Sequence, residues 1–429
     1  MKSIISRICD SIRWRTRAIA RDCSDRWYCL NRERYVSQVK RKEQINVVFL
    51  CMNVAMWKSQ HLYDLLKKDS RFKLYVFLTP ATTFSYASRC EDMKEMRSYF
   101  RNHNVPFVDY ELEKGQSAVS IKSLIDPDIL FYAQPYPGVV DACNDFDNFR
   151  DKLLCHIPYG FSSRSSDHYN YDLRFNNLAW KLYYQTEESK ELARRFARNR
   201  GKNAVVVGYP SADDYVLPAQ NDPWKVKDRK VKRIIWAPHF TILKGLGFSQ
   251  ISNFLTMADY MRKLSVDYSD KITIAFKPHP RLYSELVKIP DWGEERTKEY
   301  YDFWKNNPTT QLETGDFVDL FKESDAMLHD SGSFAVDYLY FNKPVLYDNP
   351  DVESAKTTAN EIGKKAYDMH YRVSSNDDIT RFIDDVVLAG NDMMKAQREE
   401  FYRTFLRPPH GKTVAQNIYD DLMNSLKIE

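Results

Sequence analysis

Four short segments of the sequence hold the residues best suited to chemistry. The first is His329-Asp330-Ser331-Gly332-Ser333, which follows an apolar run and precedes a helix-like stretch. Ser331 and Ser333 are good capping residues, Gly332 lets another backbone or a ligand come close, and a helix start offers free N–H groups to an anion. Such a turn can hold a pyrophosphate without the lysine of a phosphate-binding loop, and plain helix capping would use the same residues. With only 13 glycines in 429 residues, a long glycine-rich phosphate loop is not available. The second segment runs from Ala275 to Tyr283. Lys277, His279 and Arg281 alternate there at the end of an apolar run, with Pro278 and Pro280 fixing the backbone. Period two would aim all three one way, as a phosphate clamp, and His279 could donate a proton or a hydrogen bond to a leaving phosphate. A turn histidine beside surface charges is the plainer explanation. The third is Trp236 to Thr241, another strand end with Pro238 and His239, weak by itself. In the fourth, Leu153 to Phe161, His156 ends an apolar run and is a candidate base for an acceptor hydroxyl, though a core or cap histidine fits nearly as well.

Metal chemistry finds little support. Asp126-Pro-Asp128 and Asp145-Phe-Asp147 have the Asp-x-Asp form, but the first pair precedes a strand instead of ending one. The seven cysteines form no Cys-x-x-Cys pair and read as reduced thiols of the cytoplasm. No cofactor and no metal are expected.

The elements that must position these segments alternate. Apolar runs at 45–50, 73–78 and 128–133 are separated by helical stretches, a charged helix follows from Glu187 to Arg200, and a strand with a turn covers 204–210. Residues 211–230 resemble a linker. A second series then repeats the order: strands at 231–238, 271–280, 325–330 and 343–348, with helices near 250–265, from about 281, and from Ser333 to Phe341. Continuous apolar runs point to parallel strands covered on both faces. The expected fold is α/β, with two Rossmann-like domains facing across a cleft, a basic helical N-terminal extension and a C-terminal helical tail broken at Pro408-Pro409. Boundaries are expected at 1–43, 44–215 for the first Rossmann-like domain, 225–385 for the second, and 386–429. In this fold ligands sit at the carboxyl ends of the strands, where the histidines and serines fall.

Charge is uneven. Residues 1–43 carry 12 Lys or Arg against 5 Asp or Glu, a net of +7 in a chain whose total is +4, so the remainder carries −3. Ile4, Ile5, Ile8, Ile12 and Ile19 recur near helical spacing, with Trp14, Trp27 and Tyr28 among arginines, a pattern suited to an anionic membrane surface. A solvated basic helix packed on the protein would show the same residues. Nucleic acid is not expected, because beyond position 43 the basic residues are balanced by acids. No apolar run reaches the roughly 18 residues of a spanning helix, and Arg7 and Asp10 interrupt any signal-peptide core. The expected location is cytoplasmic, peripheral at the inner face of the plasma membrane.

Trp236-Ala-Pro-His-Phe240, Lys277-Pro-His-Pro-Arg-Leu282 and the run from Asp330 through Asp348 resemble the carboxyl-terminal domain of the CDP-glycerol glycerophosphotransferase family, which includes teichoic acid and capsule polymerases. The likeness is clearest over about 230–350, with a fainter echo in Arg407-Pro-Pro-His-Gly-Lys412. It implies the GT-B fold and a donor site in which His279 and Ser333 serve the CDP phosphates, with Asp330 and Asp337 in the matching frame. Lys277, Arg281, Ser331, Gly332 and His239 complete the expected phosphate set. The implied activity moves glycerol-phosphate, or a related alditol-phosphate, from CDP-glycerol to a polysaccharide, teichoic-acid-like or lipid-linked hydroxyl, releasing CMP. Sugar transfer from a nucleotide sugar, and a non-catalytic nucleotide- or polymer-binding scaffold, are the alternatives. Two departures stand out: Gly332-Ser333 replaces the family's frequent serine pair, and the family's amino-terminal Trp-His-Gly motif is absent, with Cys155-His156-Ile157-Pro158 near its place.

Overall fold

In the computed structural model the chain is described over residues 4–116, 118–165, 170–243, 252–332, 334–349 and 351–427. It divides into two compact units. One comprises residues 1–160, 166–210 and 408–429, and the other residues 161–165 and 211–407.

Unit 1 is built on seven parallel strands: β1 (Ile45–Cys51), β2 (Phe72–Leu78), β3 (Phe107–Val108), β4 (Ile129–Tyr132), β5 (Leu153–His156), β6 (Lys181–Tyr184) and β7 (Ala204–Val206). Their order in the sheet is β3-β2-β1-β4-β5-β6-β7. Unit 2 has six: β8 (Lys232–Ala237), β9 (Ile272–Phe276), β10 (Thr310–Leu312), β11 (Ala326–His329), β12 (Val345–Tyr347) and β13 (Tyr371–Arg372), ordered β10-β9-β8-β11-β12-β13 and again all parallel. Both orders reverse direction beside the first strand, between β1 and β4 and between β8 and β11, which is where open α/β sheets bind ligands.

The apolar runs form strands because the sheet is buried on both faces. Along β8, Ile234 and Trp236 join one core cluster, with Ile274, Phe276, Leu328 and Trp304, while Ile235 and Ala237 join the other, with Ala275, Met327 and Val345. Trp236 stacks on Phe254 at 5.6 Å and tilts against Phe276 at 5.0 Å, so β8 and β9 are locked at their carboxyl ends.

In unit 1 the helix Ile4–Lys40 packs its second half on the sheet. Buried Tyr28 donates to the Lys152 carbonyl at 2.9 Å, Arg32 donates to the Leu178 carbonyl at 2.8 Å, and Arg174 reaches Asp25 at 2.7 Å. The closing helix Val414–Leu426 also belongs to this unit: Asn417 donates to the Val207 carbonyl, and Asp421 accepts from Lys181 and Tyr183. No described helix is long and apolar enough to cross a membrane.

Three local expectations change. Where one helix is expected from Ser333 to Phe341, the described residues 334–341 form a single α turn, Phe334–Asp337, running into a 3-10 turn, Tyr338–Phe341. That leaves little helix dipole at the turn. The strand in 271–280 ends at Phe276, so Lys277, His279 and Arg281 do not share one strand face. Finally, β3, β6, β10 and β13 were not evident as strands.

Candidate active site

The exits of β8, β9 and β11 lie side by side at the switch point of unit 2, and each carries a histidine or a serine turn. After β8, Pro238 and His239 leave the sheet. After β9, the His279 N–H donates to the Pro238 carbonyl at 3.0 Å, binding the two exits together. The imidazoles of His239 and His279 meet edge to face, with centroids 4.9 Å apart, and Phe240 packs against both at 4.4 and 4.5 Å.

Hydrogen bonds assign the tautomers. The Arg281 backbone N–H donates to His279 Nδ1 at 3.1 Å, so a neutral His279 carries its proton on Nε2. His239 Nδ1 lies 2.9 Å from the Thr241 hydroxyl and accepts the Thr241 N–H at 3.4 Å, which again leaves the proton on Nε2. Burial, with the Arg281 charge second, pushes His279 down to about 4; burial, followed by His279, Arg164 and Arg281, pushes His239 down to about 3. Near neutral pH both are therefore neutral N–H donors in a positive field. Neutral N–H groups of this kind can hold phosphate oxygens.

Asp330, at the exit of β11, fixes this arrangement. Its carboxylate accepts the His239 N–H at 2.6 Å and the Asn253 N–H at 2.8 Å, gripping both ends of the connection that follows β8. It is buried, which outweighs those hydrogen bonds and raises its pKa to about 7. Asp348, at the end of β12, accepts from the Trp236 indole at 3.3 Å and is also raised by burial, then by the Asp330 charge.

A model of the CDP-Glycerol:Poly(glycerophosphate) glycerophosphotransferase family matches residues 159–424. The chain belongs to that family. The match spans every site residue of unit 2 and leaves His156 outside. No curated protein matches the chain. Among solved structures, a variant of the wall teichoic acid polymerase TagF is 14% identical, with a TM-score of 0.57 over 99% of this chain and 98% of that one. The UDP-N-acetylglucosamine 2-epimerase of Neisseria meningitidis, bound to UDP-GlcNAc, is 15% identical, with a TM-score of 0.51 over 89% and 99%. A putative enzyme of that kind from Listeria monocytogenes is 13% identical, with a TM-score of 0.57 over 90% and 98%. At such identities they share the fold, two Rossmann-like parallel α/β domains, as the sequence implied.

The other expected residues in this glycerophosphotransferase chain fall as follows. Lys277 is buried: its Nζ donates to the Gly315 carbonyl at 2.8 Å and lies 5.9 Å from the Phe317 ring centroid. Arg281 is exposed, stacked on Phe240 at 4.2 Å and within 3.3 Å of Glu285. Ser331 is buried, and Gly332 is half-buried with room for a Cβ, the nearest atom being the Tyr367 hydroxyl at 3.5 Å. Ser333 lies outside the described residues. Asp337 accepts from Tyr215 at 2.5 Å, a buried bond that anchors the Ser211–Val216 stretch to the turn after β11. His329 is fully buried and meets His370 through their Nε2 atoms at 3.1 Å.

In unit 1, His156 ends β5 and its Nε2–H donates to the Ala133 carbonyl at 3.3 Å, leaving the lone pair on Nδ1; burial pushes its pKa down to about 4. Both Asp-x-Asp pairs are engaged in salt bridges: Asp126 with Lys152, Asp128 with Lys42, and Asp147 with Arg150 and Arg174, while Asp145 caps the turn that follows it. Among the described residues no group of three His, Cys, Asp or Glu is placed to hold a metal ion. Sequence reading missed Thr241 and Asn253, whose roles arise from loop geometry rather than from any residue pattern.

Proposed function

We propose that this glycerophosphotransferase moves glycerol-phosphate, or a related alditol-phosphate, from a CDP-activated donor to a hydroxyl of a polysaccharide, teichoic-acid-like or lipid-linked acceptor. The observation that carries this reading is the pair of neutral Nε2–H donors, His239 and His279, at adjoining strand exits of the unit whose family match is continuous. In the reaction the acceptor oxygen attacks the β-phosphorus, the bond from that phosphorus to the bridging oxygen breaks, and its electron pair leaves with CMP. CMP is a phosphate monoester with a second pKa near 6, so it departs without a proton. The chain then needs charge stabilisation and positioning more than acid catalysis, which suits neutral imidazole donors. His239, His279, Arg281, Ser331, Gly332 and Ser333 hold the pyrophosphate. Lys277 contributes charge from below the site, and Asp330 and Asp337 brace it. His156 Nδ1 is the proposed acceptor for the hydroxyl proton. The basic segment of residues 1–43 is proposed to rest on anionic lipid at the inner face of the plasma membrane, and no nucleic-acid partner is proposed.

Incubation with CDP-glycerol, CDP-ribitol and UDP-sugars, followed by mass spectrometry of the released nucleotide, tests the donor class. CMP is expected. UDP release together with a sugar joined to the acceptor would instead point to sugar transfer from a nucleotide sugar. No nucleotide released with any acceptor would support a scaffold.

A further inference from the structure

Residues Phe161–Ser165 lie in sequence between two stretches of unit 1 but form part of unit 2. Their backbone is held tightly there. Arg164 pairs with Ala359 as an antiparallel bridge, the Ser165 N–H donates to the Thr358 carbonyl at 2.9 Å, and the Asn360 N–H donates to the Ser163 carbonyl at 2.9 Å. The Asn360 side chain adds a bond to the Ser162 carbonyl at 2.8 Å. A Cβ at Gly363 would stand 2.2 Å from the Ser163 carbonyl oxygen, so the segment lies directly on the helix Glu361–Asp368. That helix also carries Tyr367, whose hydroxyl reaches to 3.5 Å from the Cβ position of Gly332.

Arg164 is thus an exposed guanidinium on an immobilised backbone. Its charge contributes to lowering the pKa of the His239 imidazole and opposes the rise that burial gives the Tyr367 phenol. The bridge to Ala359 and the packing of Ser163 on Gly363 place Arg164 beside the helix whose Tyr367 hydroxyl reaches the Gly332 turn. A guanidinium presents a planar fork of donors that fits phosphate oxygens, and a fixed backbone lowers the entropy lost in forming such a contact.

We propose that Arg164 is a binding residue for the pyrophosphate of the nucleotide donor, completing the His239–His279 site from a segment remote in sequence. The inference rests on the reading of that site as the donor-phosphate site. Calorimetry with CDP and with a short glycerophosphate oligomer, on the full chain and on Arg164→Ala, Arg164→Lys, Arg164→Gln and His279→Ala, separates the two ideas. Loss of a charge-assisted bond is expected to weaken CDP binding at least about tenfold in Arg164→Ala and Arg164→Gln, with Arg164→Lys between these and wild type. Thermal midpoints of the variants serve as the control that a loss of binding is not a loss of folding. Wild-type CDP affinity in Arg164→Ala, alongside a loss in His279→Ala, would overturn the role of Arg164 and leave the site standing. A loss confined to the oligomer would overturn it in favour of an acceptor phosphate. No CDP binding by the wild-type chain, or no effect of either substitution, would overturn the site reading itself.

Discussion

At the scale of single residues, the decisive feature is which nitrogen of each site histidine is free. Arg281 N–H occupies Nδ1 of His279, and Thr241 occupies Nδ1 of His239, so both present N–H rather than a lone pair. His279→Ala is expected to reduce turnover by about 100-fold, the cost of removing one preorganised donor at a developing charge. His279→Gln, which keeps an amide N–H donor, should recover part of that loss. Because burial and Arg281 hold His279 down to about 4, it stays neutral as the pH rises from 6 to 8, and its substitution should leave the shape of the pH–rate profile unchanged over that range. A limb near pH 6.5 that vanishes in His279→Gln would show a proton-transfer role instead. The strand-end histidines were legible in the sequence because prolines follow apolar runs there. The alternation of Lys277, His279 and Arg281 misled, because the strand stops at Phe276 and the prolines turn the chain so that Lys277 goes inward to Gly315.

At the scale of elements, the site depends on loops stapled by backbone hydrogen bonds rather than on a long helix. Asp330 and Asn360 each accept or donate across segments far apart in sequence. Gly363→Ala tests this scaffolding: a Cβ 2.2 Å from a carbonyl oxygen forces either Ser163 or the helix to move. A loss of roughly 1–3 kcal/mol is expected in chemical denaturation, together with weaker CDP binding as Arg164 shifts. Unchanged stability and binding would mean the segment is free to relocate. Long buried strands such as β1, β8 and β9 could be read from their apolar runs. Strands β3, β10 and β13 could not, since two or three residues carry no period, and the place of Arg164 could not, since nothing local marks a five-residue crossing into the other unit.

At the scale of the whole molecule, the two sheets were legible as a class, because repeated strand–helix alternation permits little else. Their strand order and the placement of the chain's closing helix beside β7 were not, since both depend on long-range packing. The amino-terminal helix combines packing with exposure: Tyr28 is 1% exposed, whereas Trp27 is 57% and Leu30 82% exposed. Replacing Trp27 and Leu30 together by alanine is expected to lower sedimentation with anionic vesicles severalfold without changing the thermal midpoint, whereas Tyr28→Ala should lower the midpoint. Equal vesicle binding by the Trp27/Leu30 variant would remove this surface from any membrane role. The most direct test of the proposed donor site is a crystal structure of the chain soaked with CDP-glycerol. Pyrophosphate density within hydrogen-bonding distance of Nε2 of both His239 and His279 is the expected result, and a nucleotide bound elsewhere, with that site empty, would contradict it.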